Sequence, residues 1–314
     1  MTLTRRLYHG EDDYWRIRAF LREVLLRNNL RELSWHVAEF DYWRWHLVAN
    51  LGGWDLATAV FLWETADGQL AAVLNPIMRG EAILHVHPDF RTHDLEDEML
   101  AVAEEHLSVT GEDNHRRLWV SVSAQDEMRH AALPRNGFKR ISAPEHQACW
   151  RHRSLEVPIP ASPPPSGYTV RALGDGLELL ERCYASGLAF HPDEPAIAIE
   201  NRDDVSWYRN IQRAPLYRRD LDIVAIAPDG AVASFCTAWF DDVTRTAVFE
   251  PVGTVPAHQR RGLGKAVLCE AFRRLKHLGA VMAYVHSYEP PAHALYASVG
   301  FTDYDLVEPW LKEG

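Results

Sequence analysis

The stretch TVPAHQRRGLGKAVL, Thr254 to Leu268, decides the fold. A β-rich run ends at its start, a proline turns the chain, and apolar residues at helical spacing begin after the glycines. Gly262 and Gly264 let a backbone approach a ligand closely, and the first helical turn offers unpaired N–H groups at the positive end of the helix dipole. Such a turn suits a pyrophosphate, and Arg260, Arg261 and Lys265 add cationic side chains beside it. It is not a nucleotide P-loop, because Gln259 stands where GxxxxGK[ST] needs its first glycine and Ala266 replaces the Ser or Thr. It is not a dinucleotide fingerprint either, since GLG stops short of GxGxxG.

The same skeleton occurs earlier as VHPDFRTHDLEDEML, Val86 to Leu100. Around both copies the order of signals recurs: two β-rich runs about an Asp-Gly turn, a third strand, the proline turn, a helix, a short apolar strand, a helix and a Gly-Phe pair. The pairs are Gly137-Phe138 and Gly300-Phe301. Between the copies lies VPIPASPPPSG, Val157 to Gly167, too rich in proline to continue a helix or a central strand. The expected organisation is an α+β fold in two tandem domains, residues 1–156 and 168–314, joined by a linker over 157–167.

QRRGLG (259–264) after a strand, followed by LYASVGF (295–301), resembles the acyl-CoA-binding core of the GNAT acetyltransferases, with FEPVGTVP (249–256) similar to that family's fourth strand. The resemblance covers about residues 168–314, and a degenerate version covers most of the first half, as in tandem GNAT proteins. It implies two GNAT-like domains, each a mixed, mostly antiparallel sheet flanked by helices. By resemblance, backbone groups of Val252 and Thr254 hold the pantetheine arm and thioester of acetyl-CoA, while Gln259, Arg260, Arg261, Gly262, Leu263, Gly264 and Lys265 wrap the pyrophosphate.

Amine attack on a thioester develops an oxyanion, so a strand N–H aimed at it, that of Thr254, would stabilise the transition state. Tyr296, four residues before Gly300, takes the family's general-acid position and would protonate the departing thiolate. Glu250 is the candidate base that deprotonates the incoming ammonium, although strand alternation could equally turn it to solvent. Asp241 and Asp242 are candidates to bind a cationic acceptor; such a pair can also simply solvate a hairpin. The implied activity is transfer of acetyl from acetyl-CoA to a primary amine of a small, cationic acceptor by direct attack. The rival from another class is a non-catalytic acyl-CoA-binding sensor, which needs neither Tyr296 nor Glu250.

In the first copy, counting from the prolines, Asp94 and Glu96 occupy the places of Gly262 and Gly264, and four residues before Gly137 Leu133 takes the place of Tyr296. A carboxylate about 4 Å from a phosphate costs about 4 kcal/mol at an effective dielectric near 20, against about 8 kcal/mol for micromolar binding. One cofactor per chain is expected. The first domain also contains LRELSWHVAEFDYWRWHLVAN, whose aromatics suit core or interface packing better than a substrate pocket.

Of the 314 residues 47% are hydrophobic and 25% charged, which allows a real core, and a net charge of −11 speaks against nucleic acid as a partner. No run of about 18 apolar residues suggests a membrane span, and the first residues lack the apolar core of a secretory signal. Cys149, Cys183, Cys236 and Cys269 are dispersed, as in small core hydrophobes of a cytoplasmic protein. His85 and His87 have no third ligand at metal spacing, so no metal is expected. A homodimer is compatible with this sequence.

Overall fold

A computed structural model describes residues 2–52, 54–142 and 148–314. Its elements are β1 (Thr4–Leu7), α1 (Glu11–Arg27), α2 (Val37–Tyr42), a π-helical segment Trp43–Leu51, α3 (Leu56–Ala59), β2 (Phe61–Glu64), β3 (Leu70–Pro76), β4 (Glu81–Val86), α4 (His93–Leu107), β5 (Val109–Thr110), β6 (Arg116–Ser123), α5 (Glu127–Arg135), β7 (Lys139–Arg140) and β8 (Ala148–Ser154). There follow β9 (Thr169–Ala172), α6 (Leu177–Phe190), α7 (Pro195–Asp203), α8 (Ser206–Gln212), β10 (Asp222–Ile226), β11 (Val232–Asp241), β12 (Thr246–Thr254), α9 (Leu263–His277), β13 (Met282–Ser287), α10 (Pro290–Ser298) and β14 (Asp303–Glu313).

The chain divides into two compact units. Unit 1 holds Met1–Phe40, Gly53–Trp150 and Asp305–Gly314; unit 2 holds Asp41–Gly52 and Arg151–Tyr304. In unit 1 the strand order is β1-β2-β3-β4-β6-β14, and in unit 2 it is β8-β13-β12-β11-β10-β9. Apart from the parallel pairs β4–β6 and β12–β13, the registered pairs are antiparallel. Each unit is therefore the mixed, mostly antiparallel α+β fold expected from the sequence.

The division differs from the expected boundaries of 1–156, 157–167 and 168–314 at three places. Residues Asp41–Gly52 count with unit 2, the C-terminal strand completes the sheet of unit 1, and β8 from Arg151 onward joins the sheet of unit 2. The proline stretch after β8 is therefore not the boundary. It is irregular chain running from β8, at one end of the unit 2 strand order, to β9 at the other. Five strand spacings need about 24 Å, which the fourteen residues between β8 and β9 cover easily at about 3.1 Å each in the extended form proline favours. Ile159 and Tyr168 pack on the unit 2 core on the way.

That core is built on α9, whose Leu263, Val267, Ala271, Phe272 and Leu275 recur at helical spacing and are all buried. Phe272 meets Phe249 of β12 and Phe301 at ring-centroid distances of 5.3 and 5.6 Å. Its replacement by Ala would cost about 3–5 kcal/mol. Arg274, Lys276 and His277 sit in the last turn of α9, where cations complement the dipole. Unit 1 has its own core around Trp63, Leu84, Met99 and Leu133. All four cysteines are free and buried, and His85 is spent on structure, its ring bonded to Asn75 Oδ1 at 3.0 Å and to the Trp35 N–H at 3.3 Å.

Candidate active site

In unit 2 the parallel pairing of β12 with β13 stops after Val248↔Tyr284, so among the described residues β12 continues to Thr254 without a strand partner on that side. The Val255 N–H donates to Ala233 O at 3.0 Å, and Gly253 O accepts from Ser234 Oγ at 2.9 Å, both toward β11. Strand alternation then turns the N–H groups of Val252 and Thr254 to the open side. There they line a cavity of ≈ 510 Å³ that is continued by Gln259, Arg260, Gly262, Leu263, Gly264 and Lys265 and closed by Leu295 and Tyr296.

The turn at its mouth has the features that suit an anion. Gly262 caps α9 at φ 81°, a left-handed conformation that costs glycine nothing, and supplies no side-chain bond to the first N–H groups of the helix. At Gly264 an added Cβ would come within 3.1 Å of Leu295 Cδ2, so a side chain there would press on Leu295 where α9 and α10 meet. Arg260 and Lys265 line the cavity, whereas Arg261 turns aside, donating to the Tyr168 hydroxyl at 3.3 Å. Open strand amides, uncapped helix amides and two cations fit the amide-rich arm and pyrophosphate of acetyl-CoA.

A second cavity of ≈ 490 Å³ lies in the same unit, lined by Tyr42, His46, Asn50, Ser186, Phe190, Trp207, Glu250 and Pro251 among others. Phe190 belongs to both cavities, and β12 passes from one to the other between Pro251 and Val252. The pairing of β12 with β11 explains this. Cys236 faces Val252 and Ala238 faces Phe249, so Glu250 and Pro251 stand opposite the single residue Thr237. This β-bulge re-aims the Glu250 side chain and removes the ambiguity that plain alternation leaves. Burial raises its carboxyl to about 7, slightly offset by His286. Tyr296 is buried to 6% exposure; burial first, then the nearby Glu250, raises its phenol, which stays protonated.

Asp241 and Asp242 are not brought to either cavity. The buried Asp241 carboxylate closes the β11–β12 hairpin, accepting the Thr244 N–H at 3.0 Å and the Thr244 hydroxyl at 2.7 Å, and Asp242 is exposed on the turn. Conversely, sequence reasoning passed over Tyr42, His46, Asn50 and Trp207. For all but Trp207, which lies on α8, the signal was the aromatic stretch, whose Trp43 does pack in the core while its neighbours line the second cavity.

The corresponding part of unit 1 is closed. Between the one-turn segment Pro88–Phe90 and α4 stand two residues, Arg91 and Thr92; between Pro256–His258 and α9 stand four. Counted from the helix starts, Thr92 replaces Gly262 and Asp94 replaces Gly264, while Glu96 matches Ala266 instead of a glycine. The sequence pairing is corrected accordingly: the first turn is two residues shorter as well as acidic. The Thr92 hydroxyl caps α4 by accepting the Leu95 N–H at 3.2 Å. Beyond the β4–β6 pairing, where unit 2 has its opening, Arg129 is buried with Nη1 donating to Leu84 O at 2.7 Å and Nε to Glu96 at 2.9 Å. Arg91 bridges Glu96 and Asp126. Burial alone would raise Glu96, but Arg129 and Arg91 outweigh it and hold the carboxyl below its ordinary value.

Residues 178–301 match the acetyltransferase (GNAT) family. They form a GNAT N-acetyltransferase domain. Outside that segment the likeness continues: a mycothiol acetyltransferase of Nocardioides sp. is 29% identical over 253 residues, covering 73% of this chain and 79% of its own. A GCN5-related N-acetyltransferase from Sphaerobacter thermophilus superposes with a TM-score of 0.66 at 18% identity, covering 99% of this chain and 95% of that one. A tandem GNAT protein from the clavulanic acid biosynthesis pathway gives 0.64 at 18% identity, covering 99% and 98%. At these identities the two structures speak for the fold, and they do so over both GNAT-like units. Among the described residues no helix is long and apolar enough to cross a membrane.

Proposed function

We propose that unit 2 transfers acetyl from acetyl-CoA to the primary amine of a small acceptor, the donor in the first cavity and the acceptor in the second. The observation that carries this reading is the bulge at Glu250–Pro251, which sets a carboxylate in one cavity and the strand amides in the other between Glu250 and Thr254 of β12. Glu250, with its pKa near neutrality, takes the proton that an ammonium must lose before it can attack. The Thr254 N–H stabilises the oxyanion that develops on the thioester carbonyl. Tyr296 donates its O–H to the departing sulfur; with its pKa raised, the phenol serves as a hydrogen-bond donor in the free protein and as a proton source once charge has built up on the thiolate.

Among the described residues that line the acceptor cavity, Glu250 is the carboxylate and none is Lys or Arg. This supports an acceptor with an amine and an otherwise neutral body, and gives no support to one rich in carboxylates or phosphates. The name of the mycothiol acetyltransferases supports a small-molecule acceptor. Unit 1 binds no cofactor in this reading. The sensor alternative needs no base between two cavities, and Glu250 is in that position.

The test is turnover of acetyl-CoA against a broad panel of primary amines, with Glu250→Gln and Tyr296→Phe alongside. Acetylation lost in both variants, with CoA affinity kept, supports transfer. CoA binding with no turnover on any amine would return the sensor reading.

A further inference from the structure

In the acceptor cavity, Tyr42, His46 and Asn50 succeed one another at intervals of four along the end of α2 and the π-helical segment, presenting one face to the cavity. Their hydrogen bonds can be read without ambiguity. Asn50 Nδ2 lies 3.0 Å from Trp207 O, and a backbone carbonyl only accepts, so this atom is the amide NH₂. The same NH₂ lies 3.1 Å from His46 Nδ1, which must then carry the lone pair. Asn50 Oδ1 accepts from Asn210 Nδ2 at 2.7 Å, so no flip of Asn50 improves the network. In the neutral ring the proton consequently sits on Nε2, and among the described residues that nitrogen has no partner. The ring itself is held between Tyr42 and Trp207, with centroids 4.9 and 5.8 Å away. Burial lowers its pKa to about 4, so it is neutral at ordinary pH.

We propose that His46, locked by Asn50 as the Nε2–H tautomer, determines acceptor specificity by donating a hydrogen bond to a neutral oxygen of the amine substrate, a hydroxyl, ether or carbonyl. Glu250 takes the amine and His46 reads the oxygen. An acceptor that offers only a second ammonium finds a donor where it needs an acceptor, so a plain diamine is disfavoured. This assignment rests on the N-acetyltransfer reading for the name of its substrate, but not for the state of the ring.

Two measurements on the full-length protein decide it. The first is kcat/KM with acetyl-CoA for ethanolamine against propylamine and for glycinamide against isobutylamine, in the wild type and in His46→Phe, which keeps a ring in place. Taking the ratio within each pair, and then between the two proteins, cancels intrinsic amine basicity. The preference for the oxygen-bearing amine should fall by about three- to tenfold in His46→Phe, through KM and not kcat, with KM for acetyl-CoA unchanged. An unchanged ratio in an active variant overturns the proposal.

The second is ¹⁵N NMR of His46 with ethanolamine added stepwise. The wild type should show a neutral ring protonated on Nε2 at pH 7, with the Nε2 shift moving on titration; a ring protonated on Nδ1, or an imidazolium, overturns it. If no amine is acetylated while the Nε2 shift responds to ethanolamine but not to propylamine, transfer fails and the role of His46 stands. If the shift responds to neither amine, His46 does not read the oxygen, and the proposal falls.

Discussion

Glu250 and Val252 stand two residues apart on β12, yet Val252 lines the first cavity and Glu250 the second. The bulge that separates them makes a carboxylate and a row of open strand amides neighbours without placing both on one face.

Glu250→Gln should lower kcat by about 10²–10⁴-fold with CoA affinity unchanged, since a general base contributes about that much. In the wild type kcat/KM should rise with pH through about 7, because the base works deprotonated, and this inflection should vanish in the variant. The carboxyl pKa is raised on folding from 4.5 to about 7, so the folded state holds the proton more tightly. The carboxyl's contribution is therefore fully favourable below 4.5 and is lost as pH climbs through 7. Denaturant unfolding at pH 8 should find Glu250→Gln more stable than wild type, on the order of 1–2 kcal/mol after solvent screening.

Tyr296→Phe keeps the ring that meets Phe301 at 6.0 Å and removes only the hydroxyl. Stability should change by less than about 1 kcal/mol, while kcat falls by about 10²-fold or more with acetyl-CoA affinity intact. Steady-state kinetics beside a thermal melt separate the two effects; an unchanged kcat would remove Tyr296 from the chemistry.

Gly264→Asp puts a Cβ within 3.1 Å of Leu295 and a carboxylate at the mouth of the phosphate turn. CoA affinity measured by calorimetry should weaken by at least about 10²-fold, since one carboxylate–phosphate contact costs about 4 kcal/mol. Gly262→Ala, strained at φ 81°, should weaken binding less and cost about 1 kcal/mol of stability.

Arg129→Met should destabilise the protein by about 3–5 kcal/mol, because Glu96 would stay buried with Arg91 as its remaining arginine partner. Calorimetry on the wild type should find one CoA site per chain. A second site, in the wild type or after Arg129→Met, would contradict the account of unit 1 as closed.

The proposed donor side was legible in the sequence because its chemistry is local. Gly262, Gly264 and the basic residues around them act through a turn and a helix start, and a turn is encoded by adjacent residues. Eight of the nine positions expected to hold the cofactor do line the cavity, and Arg261 departs because Tyr168, far away in sequence, draws it aside. The two-unit plan was visible for the same reason, since each repeat restates its own strands, turns and helices.

What only the tertiary structure decided depends on partners distant in the chain. The boundary fell elsewhere than the proline stretch because sheet pairing, not composition, assigns β8 and the C-terminal strand, and backbone pairing is indifferent to where in the sequence a strand arises. Glu250 needed the register of β12 against β11 before its side chain could be aimed. The proposed acceptor wall needed residues 42–50 counted with unit 2, and the tautomer of His46 needed the carbonyl of Trp207, some 160 residues away. A sequence specifies such contacts, but only through the folded chain that brings them within hydrogen-bond reach.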